Sequence, residues 1–330
     1  MLISGTIFAA AAAFLAPRVG RLIEPAFFLM NAGWAWLRAG RRRDGKPIGF
    51  LAFALPRSTI FTRSAFADLV IAFGPGLLGR IVTLPTLLTA FVMAAMAAPA
   101  MDAWLGPATP VTSFSWTGEL ILLALWIVLF DLGVFLAHLT MHRSKFLWEF
   151  HKVHHSADVL NPLTAFRQHP VELVFFDFVP NFIIALALVI FARWYQPGLF
   201  GYVLLGITAD SWFRLIGLQH LRHSAVPFHY PAWLNRVLIS PSAHQLHHSA
   251  AERHFGRNLG SILAIWDRVL GTYVEPVPGE QYEYGLMAGE EGTDEHSVPH
   301  LLVMPFVRAG RLLVSKVDGR PAPQDAALPR

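Results

Sequence analysis

The chain has 330 residues, of which 54% are hydrophobic and 15% are charged, well below the roughly 25% charged residues of soluble domains. This apolar composition, with 26 Phe and 10 Trp spread along the chain, indicates a membrane protein built around one membrane domain. The absence of cysteine excludes disulfides, iron–sulfur clusters and thiolate metal ligands, and the basic residues flank apolar segments, which favours lipid head groups over nucleic acid as their partners.

The N-terminal region 1–64 is predicted to contain membrane or interfacial segments followed by a basic cytoplasmic flank. Its opening apolar run precedes the positive charges Arg18 and Arg21, the reverse of a secretory signal peptide, so we expect a retained first membrane segment. The next stretch, 22–37, either crosses the membrane or lies at its surface. The basic residues that mark the cytoplasmic flank are Arg38, Arg41, Arg42, Arg43 and Lys46.

Four further apolar segments follow in chain order. The first, Ile81–Ala98, leads into a loop without Lys or Arg that we expect on the outer side of the membrane. The second, 120–142, returns the chain inward and ends at basic residues. The last two, Val171–Ala192 and Gly198–Leu218, resemble a helical hairpin that enters the bilayer and comes back.

Eight of the 15 histidines fall at the end of the second segment and in the polar stretches beyond it. They are the pair His138 and His142, the triplet His151, His154 and His155, and the triplet His244, His247 and His248. The pair is spaced i, i+4 and each triplet i, i+3, i+4, so on a helix each set presents one face. Because imidazole coordinates first-row metals without a thiol, three such faces predict a polynuclear metal site built from nitrogen ligands.

Haem proteins and metal transporters also use histidines. Haem held by two histidines would leave six of the eight unexplained. A histidine-rich metal-binding or transport protein without oxygenase activity is the alternative, although a transporter would place ionisable residues near the bilayer midplane. Four isolated histidines are interpreted as structural residues or interface anchors: His229, His254, His296 and His300.

The motifs resemble the fatty acid hydroxylase superfamily, which includes sterol desaturases, sphingolipid hydroxylases and alkylglycerol monooxygenase. The resemblance runs over about residues 117–275 and rests on the H-x3-H motif, the two H-x2-HH motifs, and the segments "NPLTAFRQHPVE", "LQH" and "RNLGSILAIWDRVLGTY". It implies a membrane-embedded oxygenase with two non-haem iron ions held almost entirely by histidine and with O2 as cosubstrate.

The resemblance implies the eight clustered histidines as iron ligands, together with His220 of the "LQH" segment. For His169 of "RQHP" three roles stay open: a further ligand, a hydrogen-bond partner of a ligand, or a contact for a lipid head group. Four polar residues are candidate partners for an imidazole N–H, with an interhelical hydrogen bond or a helix cap as the alternative for each. They are Asp131, Asp210, Asn258 and Asp267.

The predicted fold is all-α: a polytopic membrane bundle of about four or more helices, with a cytoplasmic cap of histidine-rich helices around the dinuclear metal site. The oxygenase domain is predicted over 65–275 and a polar cytoplasmic tail over 276–330. We expect a multi-pass protein of the bacterial inner membrane with its metal site on the cytoplasmic side. The oligomeric state stays open.

The predicted function is O2-dependent hydroxylation or desaturation of a C–H bond in a membrane lipid. A metal site at the membrane surface lets a buried chain or ring reach the irons, and a fatty acyl, sterol-like or ornithine-type lipid would fit. Neutral imidazoles accept zinc as well as iron, so the sequence leaves the metal open. Because the chain contains no cytochrome b5, cluster-binding or flavin motif, we expect electrons from an external ferredoxin or cytochrome b5-like donor.

Overall fold

The structure, a computed structural model, describes most of the chain. The described residues are 25–38, 46–74, 93–111, 113, 115–191, 193–195, 203–204, 207–287 and 295–317. Several predicted features lie outside these ranges: the first membrane segment before residue 25, the basic run 41–43, residues 81–92 of the apolar segment that begins at Ile81, and residues 318–330.

The described residues are mostly helical. The N-terminal helices are α1 (25–38), α2 (Phe50–Ala54), α3 (Arg57–Ile60), α4 (Arg63–Phe73) and α5 (93–105). The central helices are α6 (Trp116–Arg143), α7 (Lys145–His155) and α8 (Pro170–Phe191). A short antiparallel pair of strands follows, β1 (Val203–Leu204) with β2 (Ile207–Thr208). The last helices are α9 (Ala209–Ile216), α10 (Gln219–Arg222), α11 (Ala232–Asn235), α12 (Pro241–His247), α13 (Ile265–Leu270) and α14 (Val298–Val317).

Three helices in the described residues are long and apolar enough to cross a membrane: α6, α8 and α14. Exposed apolar side chains run along α6 and α8, among them Leu120, Val128, Phe178 and Leu186, as expected for helices that face lipid. The predicted all-α class is therefore confirmed, and the candidate spans agree with a membrane protein. A fourth membrane helix stays a prediction.

Helices α6 and α8 pack antiparallel. At one end of the pair, the Tyr195 hydroxyl beyond α8 donates to the carboxylate of Glu119 on α6 at 2.7 Å. Near the middle, a Cβ atom built at Gly133 would lie 2.4 Å from the Cα atom of Pro180. Glycine is therefore required at this crossing, because any side chain would push the two backbones apart.

The second arm of the predicted hairpin does not form one continuous helix. Helix α8 confirms the first arm, but the described part of Gly198–Leu218 contains β1, β2 and the eight-residue helix α9. Leu218 then has a φ of 47°, a left-handed conformation that separates α9 from α10. Glycines and β-branched residues within this arm disfavour a long helix, which explains the difference.

Helix α14 lies within the predicted polar tail, where the sequence did not indicate a long helix. Pro305 and three basic side chains interrupt its apolar pattern. The helix nevertheless packs against α7 and α4, and Leu301 is buried among Ala67, Ile71 and Val153. Tertiary packing therefore stabilises a helix that the hydropathy pattern alone did not reveal.

Replacing Gly133 with alanine should destabilise the protein by about 1–3 kcal/mol, because the new methyl group overlaps Pro180. Thermal unfolding in detergent measures the effect. Gly310→Ala on α14 is the matched control, since a Cβ atom there meets no atom within 4 Å. An unchanged midpoint for Gly133→Ala would contradict the close crossing.

Candidate metal centre

The turn between α6 and α7 brings the first two histidine motifs together. The Ser144 backbone N–H donates to the Thr140 carbonyl at 2.9 Å and ends α6, while the Ser144 hydroxyl accepts from the Leu147 N–H at 3.3 Å and caps α7. One residue thus closes one helix and starts the next. The histidine face of α6 therefore lies beside that of α7.

The second triplet enters on α12, and the same helix positions a further histidine. The Ser240 hydroxyl caps α12 by accepting from the Ala243 N–H at 3.2 Å. The Gln245 side chain donates to the carbonyl oxygens of Ser224 at 3.0 Å and Val226 at 2.9 Å. These bonds hold the segment after α10 against α12, which brings His223 beside the triplet.

Two groups of buried histidines result, and within each group one nitrogen per residue lies within 4.8 Å of the others. The first group is His138, His142, His151, His155 and His247, and the second is His154, His223, His244 and His248. The groups are neighbours, because the rings of His155 and His248 stack with centroids 4.6 Å apart. The arrangement can therefore hold two adjacent metal ions.

The second group has the dimensions of a metal site. The Nε2 atom of His223 lies 3.1 Å from that of His154, 3.0 Å from that of His248 and 3.1 Å from that of His244. Nitrogens about 2.1 Å from a common ion would be roughly 3.0–3.4 Å apart, for right-angled to tetrahedral geometry. The four ring nitrogens therefore fit around one ion.

Hydrogen bonds donated by Nδ1 to backbone carbonyls fix the orientation of several imidazoles. His138 donates to the Leu259 carbonyl at 2.8 Å, His247 to the Arg257 carbonyl at 2.8 Å, and His154 to the Arg167 carbonyl at 3.3 Å. With the proton on Nδ1, each Nε2 atom keeps its lone pair. The Nε2 atoms of His138 and His247 are buried and have no hydrogen-bond partner in the described part of the chain. A metal ion would supply the missing interaction.

Burial also keeps the cluster uncharged. It lowers the pKa of His154 to about 3, and it holds the pKa values of His155 and His248 well below the ordinary histidine range. Repulsion from neighbouring imidazoles acts in the same direction. These rings are therefore neutral near pH 7, which is the form that binds a metal.

One carboxylate contacts the cluster directly, although the histidine spacing gave no indication of it. Glu172 at the start of α8 is fully buried, and its Oε1 atom accepts from the Nδ1 atom of His151 at 2.9 Å. The Nε2 atom of His151 has no partner among the described residues. A carboxylate behind a metal-binding imidazole orients the ring and raises its basicity. The position of Glu172 in "RQHPVE" was the available signal.

Two of the candidate imidazole partners support the site indirectly. Asp131 accepts from the backbone N–H groups of Ile262 at 2.6 Å and Leu263 at 3.0 Å. Asp267 accepts from the N–H groups of Leu259 at 2.9 Å and Gly260 at 2.7 Å. Neither carboxylate is hydrogen-bonded to an imidazole of the described residues. They fix the backbone segment whose Leu259 carbonyl accepts from His138.

The third candidate, Asn258, has a similar supporting role. Its φ of 53° places it in the left-handed region, where asparagine is tolerated. Its side chain donates to the Ala243 and Val274 carbonyls at 3.0 and 2.9 Å. It therefore ties this segment to α12. The fourth candidate, Asp210, lies in α9, and its side chain is outside the described part of the structure.

His220 and His169 lie outside both groups. The His220 ring packs edge-on against Phe27, and its Nε2 atom is 3.4 Å from the amide nitrogen of Asn31. His223, three residues later in "LQHLRH", occupies the place expected for His220.

Both ring nitrogens of His169 form hydrogen bonds: Nε2 donates to the Leu302 carbonyl at 3.1 Å and Nδ1 accepts from the Val171 N–H at 3.1 Å. The isolated histidines also lie outside both groups: His229, His254, His296 and His300.

The chain is similar to a family of lipid-modifying enzymes. Residues 123–272, which contain every histidine of the two groups, match the family model described as fatty acid hydroxylase. Ornithine lipid hydroxylase OlsE from Rhizobium tropici is 28% identical over 190 residues, which cover 57% of this chain and 51% of that protein.

Two further relatives are eukaryotic. An alkylglycerol monooxygenase from Caenorhabditis elegans is 25% identical over 163 residues, covering 48% of this chain and 28% of that protein. Delta(7)-sterol 5(6)-desaturase ERG3B from Gibberella zeae is 27% identical over 172 residues, covering 52% and 47%. The chain thus spans about half the length, or less, of these relatives. No solved structure matches the chain.

His223→Ala should lower the metal content of iron-loaded protein from two ions toward one per chain, because the second group loses one of its four nitrogens. His220→Ala is the control and should keep both ions. Elemental mass spectrometry of detergent-purified protein measures the ratio. Loss of an ion from His220→Ala and not from His223→Ala would reverse the ligand assignment.

Glu172→Gln should weaken metal binding about tenfold, because the neutral amide still accepts from His151 but no longer raises its basicity. Competition with a chelator measures the dissociation constant. Glu119→Gln is the matched control, since that carboxylate is equally buried but lies at the opposite end of α6. Equal affinities for Glu172→Gln and the wild type would show that Glu172 does not act through His151.

Proposed function

From the fatty acid hydroxylase match at residues 123–272, we propose that the protein is a membrane di-iron oxygenase that hydroxylates or desaturates a C–H bond of a membrane lipid. The observation that carries the proposal is the pair of adjacent histidine groups, which offers five and four buried nitrogen ligands. Two iron ions bound there would use O2 and external electrons to supply the oxidant that an unactivated C–H bond requires.

The residues around the histidines exclude water from the site. Trp148 is buried, and its ring contacts His142 and His155 with centroids 5.1 and 5.3 Å apart. Phe255 covers the same region, 5.2 Å from His142 and 5.0 Å from Trp148. An apolar, dry wall protects a reactive centre from side reactions with solvent.

The position of the cluster supports a lipid substrate. The first histidine group lies where α6 ends and α8 begins. Both apolar helices therefore extend away from this group in the same direction. Phe176 on α8 is half-buried and lies 5.7 Å from the His138 ring. A chain or ring in the bilayer would reach the cluster past Phe176. Exposed basic residues beside the turn, Arg143 and Lys145, would then lie near the lipid head group.

The names of the relatives define the substrates to test first: an ornithine lipid, an alkylglycerol and a sterol. Basic residues after α6 and α1 support a cytoplasmic location of the site in a bacterial inner membrane. Electrons would come from a separate ferredoxin or cytochrome b5-like protein that docks on this side.

The test uses iron-loaded protein in lipid nanodiscs with O2, a ferredoxin and its reductase, and each candidate lipid in turn. We expect two irons per chain and a lipid product that gains 16 mass units or loses two, because one oxygen atom is added or two hydrogens are removed. His154→Ala should abolish the product, while His254→Ala, outside both groups, should retain it.

The same experiment separates the proposal from its alternative. Bound iron without any lipid product, with every donor and lipid class tested, would favour a metal-binding or transport protein. Failure to bind iron at all would contradict the di-iron site itself.

A further inference from the structure

Helix α14 has one face that packs against the protein. Leu301, Ala309 and Leu312 are buried and lie along one side of the helix. Leu301 contacts the cluster formed by α4 and α7 through Val153. This side of α14 therefore belongs to the protein interior.

Polar contacts fix α14 to the segment around the metal centre. The His169 ring donates to the Leu302 carbonyl at 3.1 Å. Just before the helix, the buried Arg167 side chain donates to the Glu295 carbonyl at 2.6 Å. Phe306 packs edge-on against Phe150 of α7, with ring centroids 5.3 Å apart. Helix α14 is thus attached to α7, which carries three of the clustered histidines.

The opposite face of α14 is apolar and exposed. Its residues project about half a turn away from the buried side, and four large apolar side chains have exposed fractions between 39% and 60%. They are Val303, Val307, Leu313 and Val314. Phe306, at the edge of this strip, is the residue that contacts α7. A contiguous apolar strip of this kind indicates contact with a membrane or a partner.

The charges on α14 identify the membrane as the partner. The sequence of Val298–Val317 contains Arg308, Arg311 and Lys316 but no Asp or Glu. Arg308 and Arg311 lie on one flank between the apolar strip and the buried face. An apolar face bordered by basic residues is the pattern of a helix that lies on an anionic lipid surface.

A transmembrane orientation agrees poorly with the contacts of α14, although the helix is long enough to span. Arg308 and Arg311 lie in its middle, where a spanning helix would expose them to the centre of the bilayer. Helix α14 also packs on α7, an 11-residue helix with a buried ion pair between Lys152 and Glu149. Helix α7 is too short and too polar to lie in the hydrocarbon core.

We infer that α14 lies in the plane of the membrane surface, with its apolar strip in the acyl region and its basic flank at anionic head groups. It thereby holds α7 against the leaflet into which α6 and α8 insert. The inference does not depend on the proposed oxygenase activity, because it rests on the contacts, exposure and charge of α14 alone.

The experiment measures the depth of spin labels in the bilayer. Because the chain has no cysteine, single cysteines at Val303, Val307 and Val314 can each carry a nitroxide in the full-length protein in nanodiscs of neutral and anionic phospholipid. Relative accessibility to O2 and to a water-soluble nickel chelate gives the depth. Labels at Leu120 and Val128 on α6 are the controls for a spanning helix.

An in-plane helix should place Val303 and Val314 at the same shallow depth. A spanning helix would separate them by about 16 Å, and the α6 controls should differ by about 12 Å, at 1.5 Å per residue. A depth gradient on α14 like that of the controls would overturn the inference. So would labels exposed to water, or dipolar broadening that indicates a second copy of the chain on this face.

The contribution of the basic residues is tested with the double variant Arg311→Gln and Lys316→Gln. These side chains are exposed, so their replacement should not disturb folding. We expect the Val314 label to lie deeper in nanodiscs with anionic lipid than in neutral ones, and the double variant to lose this shift. An identical shift in the double variant would exclude recognition of anionic head groups by Arg311 and Lys316.

Discussion

The site depends on one constraint: nine imidazole rings are buried together, and no Nε2 atom of the first group has a hydrogen-bond partner among the described residues. Where carbonyl or carboxylate oxygens accept from Nδ1, as at His138 and His151, the lone pair of Nε2 is turned toward the other rings. An unsatisfied buried nitrogen costs free energy, so nine rings in such a cluster are consistent with a native state that contains metal. The turn at Ser144 and the contacts of Gln245 are required to assemble the histidine cluster.

The buried acids of this region have distinct tasks. Glu172 contacts an imidazole directly, whereas Asp131 and Asp267 bind backbone N–H groups of the segment that supplies carbonyl acceptors to the cluster. Several of the few charged residues in this domain thus orient the ring nitrogens, either directly or through the backbone. Loss of such a supporting contact typically weakens metal binding by about 10- to 100-fold.

The histidine groups lie at one end of the pair of apolar helices α6 and α8. Helices α6 and α8 extend away from the histidines with exposed apolar sides, and their crossing at Gly133 and Pro180 brings the two backbones close together. The histidine groups lie where α6 ends, beside the short polar helix α7. In the proposed function this arrangement would let one molecule present its apolar part to the irons and its polar part to the membrane surface.

The sequence by itself determined the membrane class, the helical character and the identity of eight clustered histidines, because composition and i, i+3, i+4 spacing are local properties. Only the tertiary structure divided the histidines into two groups, placed His223 and not His220 in the second group, and brought Glu172 to His151. It also revealed helix α14, and it showed that the second arm of the predicted hairpin is not one continuous helix. These features depend on contacts between segments distant in the chain, such as Gln245 with the residues after α10, and spacing within one segment carries no information about them.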